Sequence, residues 1–173
     1  MDDQGSSFST ELEVRVYTRQ VGVTGNEWQE AGQGPGIFHF DPGVEVMVRA
    51  QRIDNRTLRQ LAADLKPLSS LRALVLAENR NVTNDGVAYL TELPQLRILN
   101  LSSCDITGEG LAHLKALPHL AELNLSFCNR LTESALGPIK ALTHLTYLDL
   151  QGTIKIKRGW IPRLERRGLT IRR

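Results

Sequence analysis

From Leu71 onward the apolar residues of this chain return in one order at a spacing of 24 or 25 residues. The three units read LRALVLAENRNVTNDGVAYLTELPQ from Leu71, LRILNLSSCDITGEGLAHLKALPH from Leu96 and LAELNLSFCNRLTESALGPIKALTH from Leu120. A fixed period of this kind predicts stacked coils, each too small to bury its own apolar side. In the middle unit, Leu96, Leu99 and Leu101 predict a short strand with inward leucines. Ile106 then turns into the core, and Leu111, Leu114 and Leu117 form the inner face of a short helix. Stacked strands sit about 4.8 Å apart and packed helices about 8–10 Å apart. The stack must therefore bend, with the sheet on its concave side.

The pattern changes on both flanks. Residues 1–7 are polar and small and predict a disordered tail. Residues 8–43 predict a small β element capping the first coil. Leu12, Val14 and Val16 alternate with polar neighbours from Glu11 to Thr18. Val21–Thr24, a Gly25-Asn26 turn and Glu27–Glu30 suggest a second strand, and Ile37–Phe40 a third. The AGQGPG stretch between them predicts a loop. Residues 44–153 hold the repeats: one degenerate, three clear and the start of a fourth. In the degenerate unit Val46, Val48 and Ile53 align with Leu99, Leu101 and Ile106, and Leu58, Leu61, Leu65 and Leu68 predict a longer helix. Residues 154–173 predict a basic C-terminal cap. Trp160, Ile161 and Leu164 cover the last core there, Arg163, Arg166 and Arg167 face water, and Leu169 and Ile171 close the sheet.

Composition adds little until charge is divided along the chain. With 41% hydrophobic and 23% charged residues, one soluble cooperative body is expected. The net charge is +2, yet residues 155–173 carry eight Lys or Arg against one Glu, leaving about −5 on the other 154. Two cysteines provide neither a disulfide framework nor a four-ligand zinc pattern. The start of the chain has neither the basic nor the apolar run of a signal peptide, and no stretch is long enough to span a bilayer. A cytoplasmic monomer is the expectation.

The pattern LxxLxLxxC at Leu96–Cys104 and Leu120–Cys128, followed by Ile106-Thr107 and Leu131-Thr132 and then Gly110-Leu111, resembles the cysteine-containing leucine-rich repeats common in bacterial proteins. The resemblance implies an α/β fold: a right-handed leucine-rich repeat solenoid, a short horseshoe with a parallel concave sheet and convex helices. It also implies a non-enzymatic module that binds another protein through the sheet. The N-terminal 43 residues and the absence of any F-box-like segment depart from the family pattern.

Candidate chemistry is sparse. Gln51, Asn79, Cys104, Cys128 and Thr153 occupy equivalent positions and predict a structural ladder that satisfies backbone groups. His119 and His144 share a turn position without a third ligand, and GxGxG at Gly32, Gly34 and Gly36 is followed by no helix. No catalytic motif, metal site or cofactor is implied. The exposed strand positions predict the binding face, in columns Glu45, Ala73, Ile98, Glu122, Tyr147 and Met47, Val75, Asn100, Asn124, Asp149. A third column is Arg49, Ala77, Ser102, Ser126, Gln151, and beside it runs Ala50, Glu78, Ser103, Phe127, Gly152. Met47, Val75, Ile98, Asn100, Asn124, Phe127, Tyr147 and Asp149 are the candidate partner-binding residues, since apolar anchors ringed by polar groups suit a protein interface. The alternative is nucleic-acid or anionic-surface binding by the basic patch Arg163, Arg166 and Arg167.

Overall fold

The computed structural model describes residues 5–22, 27–153, 155 and 158–173. Three strands come first: β1 (Ser6–Gln20), β2 (Gln29–Phe40) and β3 (Val44–Ala50). Strands and helices then alternate as α1 (Asn55–Leu65), β4 (Leu71–Val75), α2 (Asn84–Tyr89), β5 (Ile98–Asn100), α3 (Gly108–His113) and β6 (Glu122–Asn124). The chain ends with α4 (Leu136–Ala141), β7 (Tyr147–Asp149), a 3-10 turn at Arg158–Arg163 and β8 (Thr170–Arg172). The described strands form one eight-stranded sheet in the order β2-β1-β3-β4-β5-β6-β7-β8. From β3 to β8 the neighbours are parallel, whereas β1 runs antiparallel to both β2 and β3.

Each coil closes because its leucines have nowhere else to go. Leu71, Leu74 and Leu76 of one coil, Leu96, Leu99 and Leu101 of the next, and Leu120, Leu123 and Leu125 after it are all buried. Full burial of each such side chain contributes about 1.5–3 kcal/mol. The short helices α2 and α3 have their starts fastened from the preceding coil. Asn55 accepts a hydrogen bond from the Thr83 N–H at 2.9 Å, and Asn84 does the same for Thr107 one coil later. A Cβ at Gly110 would lie 2.6 Å from Asn84 Oδ1, so glycine there makes room for this coil-to-coil tie. The longer α1 has its own start, a capping box between Asp54 and Thr57. The hydrogen bonds that Asp54 accepts from Thr57 hold its carboxyl below the usual carboxylate range.

The N-terminal region departs from the sequence pattern in three ways. Of the expected tail, residues 1–4 lie outside the described residues, but Ser6 and Ser7 belong to β1 and pair with Phe40 and His39. The expected strand at Val21–Thr24 is absent where it is described, because Val21 and Gly22 form a turn; residues 23–26, including the expected Gly25-Asn26 turn, lie outside the described residues. The AGQGPG stretch, expected as a loop, is the middle of β2. Gly32 and Gly34 fit a strand because Phe38 covers them: a Cβ at Gly34 would lie 2.8 Å from the Phe38 ring. Pro35, which cannot donate to a ladder, falls where the register jumps from Thr10/Gly36 to Val14/Gly34. Phe38 stacks on Phe8 at 5.0 Å, and Phe8 stacks on Phe40 at 6.2 Å, which joins this hairpin to the core.

The first repeat is also shifted from its expected register. Val48, not Val46, pairs with Leu74 and thus stands in line with Leu99, and Ala50 fills the core position next along the strand. Only Gln51 and Arg52 separate Ala50 from Ile53, fewer residues than separate Leu101 from Ile106. The shorter loop moves the strand by two positions, which preserves the inward face. Ile53 keeps its expected place, immediately before the residue that caps its helix, as Ile106 does.

Candidate partner-binding face

The sheet face turned away from the helices carries two rows. Cross-strand partners in register present their side chains on the same face. One row runs Tyr17, Met47, Ala73, Ile98, Glu122, Tyr147, Thr170. The other runs Arg15, Arg49, Val75, Asn100, Asn124, Asp149, Arg172. Met47 therefore stands beside Ala73 instead of Val75, and Arg49 takes the place beside Val75. Both rows continue onto β1. The sequence reading missed Arg15 and Tyr17, although the alternation of Glu11–Thr18 places them opposite Val14 and Val16.

The candidate residues divide by what their polar atoms already do. Tyr147, Ile98, Met47 and Val75 are half-buried and present apolar surface along the rows. Asn100 and Asn124 each accept the N–H two residues on, from Ser102 and Ser126 at 2.9 Å. Asp149 does the same for Gln151, is buried, and lies 3.5 Å from Arg172. Repeated Asx turns of this kind end each strand. One oxygen of each of these side chains is thus committed to the backbone.

Phe127 lies on a rim beside the rows and is 51% exposed. Its backbone is left-handed, with φ 58°, and the equivalent residues share that conformation: Arg52 at 58°, Glu78 at 66°, Ser103 at 59° and Gly152 at 71°. In the first coil the rim residue is Arg52, whereas the expected Ala50 is buried. The Phe127 ring rests on Gly152, where a Cβ would lie 2.4 Å from Cδ1.

Behind the rim runs the polar ladder. Cys104 Sγ donates to the carbonyl of Leu76 at 3.3 Å, and Cys128 Sγ to that of Leu101 at 3.1 Å. Each thiol thus bonds the coil before it. Burial pushes the Cys104 thiol up to about 12, and the neighbouring Cys128 adds to this. Burial likewise raises Cys128 to about 11. These are poor nucleophiles at neutral pH. Asn79 does more than the cysteines, accepting from the Ile53 N–H at 2.8 Å and donating to the carbonyls of Ala50 and Leu76 at 2.9 Å. Thr153 bonds Leu150 of its own coil, and Gln51 is exposed and stands outside the ladder.

The basic end is engaged in part. Arg166, expected to face water, donates to the carbonyl of Leu142 at 2.5 Å, which also accepts the Leu145 N–H, and reaches the carbonyl of Leu145 at 3.4 Å. Arg173 pairs with Glu165 at 3.5 Å. Ile161 and Leu164 are buried and Trp160 is half-buried, while Arg163 and Arg167 are exposed. His119 and His144 are exposed, and among the described residues no three of His, Cys, Asp and Glu converge. No described helix is long and apolar enough to cross a membrane.

Residues 94–137 match the family model for leucine-rich repeats, in two copies. Comparison with curated protein sequences gives no match. Among solved structures, the chain is similar to one in the crystal structure of the Rad7 and Elc1 complex in yeast, with 21% identity and a TM-score of 0.56. That likeness covers 72% of this chain and 32% of the other, so this chain spans about a third of its length. A chain in the crystal structure of the TLR13-ssRNA13 complex is similar over 71% of this chain and 18% of its own, with 20% identity and a TM-score of 0.45. The fold is a leucine-rich repeat solenoid, and no enzymatic family is indicated.

Proposed function

We propose that this chain is a non-enzymatic binding module that holds a partner protein against the open face of its sheet. The observation that carries the reading is the apolar row Tyr17, Met47, Ile98, Tyr147, which runs from β1 to β7 in continuous register with the buried Ala73 and with Glu122 between them. A rigid row of this kind supplies anchors at little entropic cost, because the backbone beneath it is fixed by stacking. The thiol ladder supports repeats of the cysteine-containing type, in a reducing setting that a bacterial cytoplasm would provide. The chain acts as a monomer in this reading, and needs no cofactor.

The test is affinity capture with wild type against an Ile98→Asp, Tyr147→Asp variant whose circular dichroism and melting are unchanged. Loss of the captured protein is the expected result; equal recovery rejects the face. Nucleic-acid binding through the basic end is the competing reading. It predicts salt-dependent retention on heparin that disappears in an Arg163→Ser, Arg167→Ser variant.

A further inference from the structure

We infer that the partner held by the open face is an acidic protein segment, and that its carboxylates are received by Arg15, Arg49 and Arg52 at the N-terminal end of the sheet. The inference rests on the reading of that face as a protein-binding surface. Arg15 and Arg49 are direct cross-strand partners between β1 and β3, so two guanidinium stems rise side by side from one face. Like charges in that relation repel. Arg52, on the left-handed turn that follows β3, completes the group. All three are exposed, and none forms an ion pair among the described residues. They line a surface depression of about 510 Å³ together with Gln33 and the carboxylate of Glu13.

Other arginines of the sheet have a carboxylate partner where they stand. Arg19 and Arg72 share Glu45, and Arg172 meets Asp149. The group at Arg15, Arg49 and Arg52 differs from these in having at most one carboxylate nearby for three cations. A planar guanidinium matches a carboxylate through two parallel hydrogen bonds, so an incoming Asp or Glu would relieve the repulsion that the empty face carries. The apolar row begins one strand position away at Tyr17 and Met47. A segment lying along the sheet can therefore set acidic residues among the arginines and an apolar side chain on the row. Charge complementarity selects an acidic segment over a neutral one.

The probe is a fluorescein-labelled peptide, Asp-Glu-Asp-Glu-Leu-Phe, followed by fluorescence anisotropy at low and high salt, beside the same peptide with every acid made amide. Saturable, salt-weakened binding of the acidic peptide alone is expected, falling at least tenfold in Arg15→Glu, Arg49→Glu and unchanged in Arg163→Ser, Arg167→Ser. Equal binding of the amide peptide, no saturation with wild type, or no loss on charge reversal overturns the inference. So does stronger, competing binding of a single-stranded oligonucleotide to the same arginines. A captured partner lost on Ile98→Asp, Tyr147→Asp but kept by Arg15→Glu, Arg49→Glu would leave the binding face standing and overturn this inference alone. The fold should survive the double reversal, because it exchanges one exposed like-charge pair for another, whereas Arg49→Glu alone makes the cross-strand pair attractive and should raise the melting temperature.

Discussion

At the first coil the solenoid core is closed by strands of 15 and 12 residues, which run antiparallel and bring Phe8 and Phe40 into the core. At the last coil it is closed by a three-residue parallel strand and the side chains of Ile161 and Leu164. The two ends also gather their arginines differently, although Arg163 and Arg167 stay exposed at the C-terminal one. The C-terminal segment holds the run of basic residues, yet Arg166 is spent on backbone carbonyls, Arg172 on Asp149 and Arg173 on Glu165. The N-terminal end has no basic run, but β1, β3 and the turn after β3 gather three exposed arginines at one depression. Linear charge density is thus an incomplete guide to where available charge gathers. What matters is which backbone and side-chain acceptors the fold places beside each cation.

The contrast can be broken at either end. Phe8→Ala should have the largest effect, about 3–5 kcal/mol by urea unfolding, because it removes the ring that joins Phe38 and Phe40 to the core. Its loss should melt the whole body in one transition; a separate early transition of the hairpin would show that the N-terminal end is an appendage. Asn79→Ala should cost about 2–4 kcal/mol, since it leaves the Ile53 N–H and the Ala50 carbonyl without the partner they have in the first coil. The equivalent Cys104→Ala should cost about 1 kcal/mol or less, because the Leu76 carbonyl keeps its bond from Asn79. Equal costs would refute the claim that the joint nearest the N-terminus is the more firmly tied.

At the other end, Arg166→Ala should lower stability by about 1 kcal/mol, since the Leu142 carbonyl keeps its bond from the Leu145 N–H, and should speed hydrogen exchange in β8 ahead of the rest. Alkaline pH gives a gauge of the ladder between the ends. Both thiols titrate higher in the folded chain than their ordinary value of 9.0, to about 12 and about 11. A raised folded value means that the unfolded chain loses its thiol protons first. Stability from each thiol is therefore full below pH 9 and falls as pH rises toward the folded values, by about 1.4 kcal/mol per unit. The Cys104→Ser, Cys128→Ser variant should show a flatter loss between pH 9 and 11. The smallest effect is at the rim, where Ser103→Gly should raise stability by up to about 1 kcal/mol by relieving a left-handed backbone.

Period made the coils from Leu71 to Leu150 legible, since an inward leucine has one possible destination once the stack is assumed. It also placed Ile98, Asn100, Asn124 and Tyr147 on the open face in their observed register. Legibility ended where period ended. Gly32, Gly34 and Pro35 predict a loop by local preference, and only the Phe38 ring, which lies over those glycines, makes them strand. The first coil slipped by two positions because a short loop, Gln51-Arg52, preserves inward and outward faces while changing register. Arg15 and Tyr17 were missed for a related reason: a small β cap was expected to cover the core, and β1 also extends the face. Nothing local in the sequence reveals that Arg15 will stand opposite Arg49.

Backbone amide shifts followed during titration with the acidic peptide test the central claim most directly, that the open face from β1 to β7 is the binding surface and is basic at its N-terminal end. The account predicts perturbations at Arg15, Tyr17, Met47, Arg49 and Ile98, diminishing toward Tyr147, with His113, Lys115 and Lys140 on the helical side unmoved. Shifts confined to the helical side or to Arg163 and Arg167 would contradict it.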